Sequence, residues 1–127
     1  MSADTLCWTD IPVDNLDRAI KFYSAVLGNE VRKMSEGGFE YGLLPHGEQN
    51  ASACLCVGGD SAGMKNKPSQ SGPLIYLSVD GCLEDAVKAA KSNGGKVLQE
   101  RYQIGPHGFR AVIVDSEGNR VALHSST

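Results

Sequence analysis

Three side chains in this sequence could bind a polar ligand or move a proton: the carboxylate of Asp10, the phenol of Tyr76 and the imidazole of His124. Asp10 stands in an apolar run from Leu6 to Val13. Alternation there sets Trp8, Asp10 and Pro12 on one face and Cys7, Thr9, Ile11 and Val13 on the other. Tyr76 and His124 lie in runs of the same kind, each sharing its strand face with the residue two before it, Leu74 and Ala122. A carboxylate beside an imidazole fixes its tautomer, so the three groups suit general acid–base work. Each also has a structural reading. Asp10 could accept backbone hydrogen bonds or pair with His124, as a buried charge requires a partner. Tyr76 could be a core aromatic with a satisfied hydroxyl, and His124, three residues from the C-terminus, could face solvent. Asp10 and His124 could together form an unusual two-ligand metal site.

The elements that would position these groups come in two copies. Ile11-Pro12-Val13-Asp14-Asn15-Leu16-Asp17-Arg18-Ala19 returns, one residue longer, as Leu77-Ser78-Val79-Asp80-Gly81-Cys82-Leu83-Glu84-Asp85-Ala86. Each copy is an apolar strand ending in Val-Asp, then an amphipathic helix closed by glycine, then another strand. A single repeat at about half the chain length marks a duplicated unit rather than a solenoid, which needs three or more. In the first copy Asp14 reads as the helix N-cap, with Asp17 completing a short capping box. Leu16, Ala19, Ile20, Tyr23, Val26 and Leu27 form its apolar face. Strands are predicted at Glu30–Met34, Gly38–Leu44 and Ala51–Val57. The second copy gives a strand at Leu74–Val79, a helix at Leu83–Ser92, and strands at Lys96–Tyr102, Phe109–Val114 and Asn119–His124. Asp115-Ser116-Glu117-Gly118-Asn119 reads as the last hairpin connection. The expectation is one α+β domain over 1–127. It has two tandem βαβββ modules, about 5–58 and 74–125, joined by a Gly/Ser/Pro-rich linker at about 59–73, in a curved mixed sheet around a central cavity.

Composition narrows the partners. The chain has 127 residues, 41% of them hydrophobic, with 12 basic and 15 acidic side chains for a net charge of −3. The bases are scattered, so nucleic acid and anionic membranes are not expected partners. No apolar run approaches a membrane span and the N-terminus lacks a secretory pattern, so the expected location is cytoplasmic. Cys7, Cys54, Cys56 and Cys82 fit neither a disulfide scaffold nor a paired zinc motif, and read as buried, reduced small hydrophobes. Cys54-Leu55-Cys56 sets both sulfurs on one strand face. His46 and His107 stand in Pro-His-Gly turns and read as loop residues. Gly105–Gly108 could act as a lid. Gly58-Gly59-Asp60 lacks phosphate-loop spacing.

In this order of elements the chain resembles the vicinal oxygen chelate superfamily, which includes glyoxalase I, bleomycin-resistance proteins and extradiol dioxygenases. The match is carried by Ile11 through Tyr23 with Val26-Leu27-Gly28, and by Gly108 through His124. The resemblance implies a cavity enclosed by the two concave sheets, with a metal ligand on each of four strands. By that alignment the ligand positions fall on Trp8, Leu74 and Ala122, with the fourth near Ala53 or Leu55. None of these side chains coordinates a divalent cation, so no metal or other cofactor is expected and metal-dependent glyoxalase I chemistry is disfavoured. Trp8, Leu74 and Ala122 become candidate ligand-binding residues. Asp10, Tyr76 and His124, each two residues along its strand, would converge in the same cavity as catalytic candidates. The resemblance implies a small oxygenated substrate for a lyase or isomerase. The alternative is a non-catalytic binding protein of the bleomycin-resistance type, stacking its ligand on Trp8 and Tyr76. It also implies a homodimer, since open half-barrels expose apolar surface.

Overall fold

A computed structural model describes residues 5–48, 51–58 and 64–127; part of the predicted linker, 59–63, lies outside them. The first module runs β1 (Trp8–Val13), α1 (Leu16–Leu27), β2 (Arg32–Glu36), β3 (Phe39–Leu43) and β4 (Ser52–Val57). The second runs β5 (Ile75–Ser78), α2 (Leu83–Ser92), β6 (Lys96–Gln103), β7 (Phe109–Val114) and β8 (Arg120–Ser125), with a 3₁₀ turn at Gly105–His107. Each module forms its own four-stranded mixed sheet, ordered β1-β4-β3-β2 and β5-β8-β7-β6. In each, the first and last strands pair in parallel and the remaining pairs are antiparallel. The duplication is therefore visible in strand order as well as in sequence.

One face of each sheet packs under its helix. Ile11, Val13, Ala53 and Leu55 join Leu16, Ala19, Phe22, Tyr23 and Val26 of α1 in the core. Val79, Ala111, Ile113, Val121 and Leu123 join Leu83, Ala86, Val87 and Ala90 of α2. Burying one aliphatic side chain of this kind contributes about 1.5–3 kcal/mol. Gly28 closes α1 in the left-handed conformation (φ 67°), its N–H donating to the Ser24 carbonyl. The N-cap is Asn15 rather than Asp14: the Asn15 side chain accepts from the Arg18 N–H at 3.0 Å. The amides of Asp14 and Asn15 are instead taken up by a residue from the far end of the chain.

That residue is Glu117, in the β7–β8 turn. Its Oε1 accepts from the Asp14 N–H (2.9 Å) and the Asn15 N–H (2.8 Å), and its Oε2 from Arg18 Nε (2.7 Å) and the Ser116 hydroxyl (2.8 Å). Its neighbours finish the joint. Asn119 Nδ2 donates to the Pro12 carbonyl (2.7 Å), and the Tyr23 hydroxyl donates to Asp115 Oδ2 (2.5 Å). Tyr23 is fully buried, and burial together with the Asp115 carboxylate pushes its phenol well above its usual pKa. Burial by itself would raise the Glu117 carboxyl as well. The Arg18 guanidinium, the Asn15 amide, the Ser116 hydroxyl and the Asp14 amide overcome it and hold Glu117 at about 2. The predicted hairpin connection is thus also the polar staple between modules. Beside it, Gly95 admits Phe22: a methyl added there would lie 2.8 Å from Phe22 Cε2 and 2.8 Å from the Val114 carbonyl oxygen.

Candidate functional site

The faces turned away from the helices carry the chemistry. β1 and β4 run parallel with Trp8 opposite Ser52, Asp10 opposite Cys54 and Pro12 opposite Cys56. With one residue set under the helix, Trp8, Asp10, Cys54 and Cys56 fall on the open face. Phe39 and Tyr41 of β3 and Glu36 of β2 complete a concavity of about 380 Å³. Trp8 Nε1 donates to Asp10 Oδ1 at 2.9 Å, and the Cys54 thiol donates to the same oxygen at 3.4 Å. Asp10 Oδ2 accepts no hydrogen bond from the described residues. Burial first, and then the bond to Asp10, push the Cys54 thiol up to about 12, so without a metal or base it is a protonated and poor nucleophile. Across the concavity the Tyr41 hydroxyl donates to Glu36 Oε2 at 2.5 Å, and that bond raises the phenol above its usual value. Phe39 and Tyr41 stack with centroids 5.9 Å apart.

The open face of the second sheet is basic. Arg110 donates from Nη1 to the Tyr76 hydroxyl (2.6 Å) and from Nε to Gln99 Oε1 (2.9 Å), and no described carboxylate pairs with it. Register sets Arg110 opposite His124 and Tyr76 opposite Ala122. The Tyr76 and His124 rings meet edge to face at 6.4 Å. His124 Nε2 lies 2.6 Å from the His107 carbonyl, and only a protonated nitrogen bonds to that acceptor, so Nε2 carries the hydrogen. Leu74 is half-buried just before β5, and Ala122 is fully buried.

The expected triad is therefore divided. Tyr76 and His124 are neighbours on the second sheet, whereas Asp10 partners Trp8 and Cys54 on the first. Asp10 and His124 share no hydrogen bond or ion pair within the chain. The β4 position near Ala53 or Leu55 also needs correcting: both turn into the core, and Cys54 and Cys56 are the β4 residues on the concavity. Nor are all four cysteines buried hydrophobes, because Cys7 and Cys82 are exposed. Trp8, Leu74 and Ala122 offer an indole, an isobutyl and a methyl group, which do not fit the superfamily's metal set. Glu36, Tyr41, Arg110 and Gln99 were missed. Alternation within the predicted strands was a signal for Tyr41, Gln99 and Arg110, whereas Glu36 lies beyond the predicted strand end at Met34.

Two βαβββ modules with open sheet faces define a class of protein, and sequence comparison agrees. The family model of the Glyoxalase/Bleomycin resistance protein/Dioxygenase superfamily matches residues 5–123, and the chain belongs to that superfamily. It is 31% identical over 115 residues to CFP32 of Mycobacterium tuberculosis, provisionally named a glyoxylase. That match covers 90% of this chain and 41% of CFP32, so the chain spans about two-fifths of that relative's length. A glyoxylase-like domain-containing protein of Didymella fabae is 30% identical over 122 residues, covering 90% of this chain and 88% of that protein. Among solved structures, the fold is shared with a glyoxalase/bleomycin resistance protein/dioxygenase family enzyme from Burkholderia phytofirmans. There the TM-score is 0.69 at 15% identity, over 98% of this chain and 100% of the other. It is shared too with a glyoxalase I mutant from Zea mays, with TM-score 0.68 at 24% identity over 94% of this chain and 46% of the other.

Proposed function

We propose that this chain binds a small oxygenated organic molecule in the concavity of the first module, as a glyoxalase-like protein without the superfamily's usual metal ligands. The observation that carries the reading is Asp10, which lines the aromatic-walled concavity: Trp8 and Cys54 both bond its Oδ1, and Oδ2 accepts from no described donor. Asp10 and Glu36 make the site rich in acceptors, so the ligand is one that brings hydroxyl donors to the carboxylates and a flat apolar part to Trp8 and Phe39. Asp10 would also serve as the general base of a lyase or isomerase. The binding-only alternative of the bleomycin-resistance type uses the same surfaces without turnover.

A homodimer is part of this reading. The first module's open face is acidic at Asp10 and Glu36, while the second presents Arg110 without a carboxylate partner. Trp8 and Tyr76 are each 45% exposed. A two-fold pairing that laid one protomer's first face on its partner's second would cover these rings and bring Tyr76 and His124 toward Asp10. None of the four cysteines forms a disulfide, which supports action in the cytoplasm. No helix among the described residues is long and apolar enough to cross a membrane.

Trp8 is the only tryptophan, so its fluorescence reports directly on the site. A panel of hydroxy acids, polyols and phenols is titrated against the wild type and Asp10→Asn, with proton NMR of the mixtures to read turnover. At least one compound should quench Trp8 saturably, and Asp10→Asn should weaken it about tenfold, the equivalent of about 1.4 kcal/mol. Equal affinity in both proteins, or no saturable quenching across the panel, overturns the proposal. Conversion of the ligand by the wild type and not by Asp10→Asn selects the enzyme over the binding protein.

A further inference from the structure

The parallel register of β1 and β4 does more than line a concavity. It sets the Asp10 carboxylate beside two thiols that the strand period has already placed on one face. One ligating atom from each of Asp10, Cys54 and Cys56 lies within 4.8 Å of the other two, and neither cysteine is in a disulfide. We propose that Asp10, Cys54 and Cys56 bind a thiophilic divalent cation of the zinc class, with its fourth position open to the concavity.

The geometry is close to what such an ion needs. Tetrahedral arms of about 2.3 Å hold two sulfurs roughly 3.8 Å apart. With the sulfurs within 4.8 Å of each other, closing takes at most about one ångström, which rotation about χ1 of either cysteine supplies. Coordination replaces the Cys54 proton that bonds Asp10 at 3.4 Å and the Cys56 proton that bonds the Ile11 carbonyl at 3.9 Å, and releases both to solvent. Trp8 Nε1, bonded to Oδ1, orients the carboxylate from outside the donor set. Two thiolates select soft or borderline ions over magnesium or calcium. The thiols are buried while Asp10 is exposed, so the ion has an entry path from the concavity.

This donor set stands apart from Trp8, Leu74 and Ala122, the positions on which the expectation of no metal rested, and it needs only one module. It shares Asp10 with the proposed ligand face. The probe is the cation alone, so its failure leaves the ligand titration to be judged separately.

The test is a Co²⁺ titration of the reduced, metal-free protein. One equivalent should produce a thiolate-to-cobalt charge-transfer band in the near ultraviolet, with visible bands of tetrahedral intensity, and Zn²⁺ should bleach both one for one. Cys54→Ser and Cys56→Ser should each remove most of the charge-transfer band, and Cys7→Ser/Cys82→Ser should keep it. Asp10 is exposed, so Asp10→Asn retains the fold and should weaken Co²⁺ binding at least tenfold. Absence of the band in the wild type, its persistence in Cys54→Ser, its loss in Cys7→Ser/Cys82→Ser, or unchanged affinity in Asp10→Asn overturns the assignment.

Discussion

Glu117→Gln tests the polar joint between the modules. The substitution keeps the side chain's shape and one carbonyl oxygen for the Asp14 and Asn15 amides, but removes the charge that meets Arg18. The folded carboxyl titrates at about 2 against an ordinary 4.5, a gap equivalent to a ceiling of roughly 3 kcal/mol. Arg18 is half exposed, and solvent screening brings the expected contribution to about 2 kcal/mol. The sign follows from the direction of the shift. A carboxyl held below its unfolded value stabilises the fold fully above pH 4.5, and that stability is lost as pH falls toward 2. Thermal melts from pH 7 to pH 2.5 read both quantities. At pH 7 the variant should melt about 6–10 °C below the wild type, given about 3–5 °C per kcal/mol for a chain of this size. Below pH 4 the two curves should converge. A constant offset across the range, or equal melting temperatures at pH 7, refutes the account of Glu117 as a charged staple.

Gly95→Ala drives a methyl to 2.8 Å from Phe22 and from the Val114 carbonyl, so it should cost about 1–3 kcal/mol in urea unfolding while leaving α2 helical by circular dichroism. For the homodimer, sedimentation at micromolar concentration should give a two-chain species, and Arg110→Glu should shift it toward single chains. A wild-type protein that sediments only as a monomer removes the paired-face reading.

The repeat makes the order of elements along the chain legible in the sequence, because Val-Asp followed by an apolar helix and a glycine carries its own periodicity and stop signal. The helix Leu83–Ser92 and the strand Phe109–Val114 fall where the pattern set them. β2 starts at Arg32 rather than Glu30, since Val31 packs into the core ahead of the strand. Within a strand, alternation placed Trp8 with Asp10 and Cys54 with Cys56. Which strand lies beside which was not readable from alternation. The register of Asp10 against Cys54 is a pairing across 44 residues, and the resemblance places the β4 position only as near Ala53 or Leu55, between which the strand turns Cys54 to the concavity. The N-cap moved from Asp14 to Asn15 for a similar reason: the group that takes up these amides, Glu117, lies about a hundred positions away, where no local signal reaches.

That distance has a kinetic consequence. The bonds from Glu117 to Asp14, Asn15 and Arg18 span 103, 102 and 99 residues, whereas each sheet closes within its own half of the chain. Contacts of such long range are entropically expensive to form early, so each half should reach its own sheet before the staple engages. Weakening the staple should then leave the refolding rate nearly unchanged and speed unfolding instead. The β7–β8 turn thus sets the lifetime of the assembled protein, not the speed with which it is made.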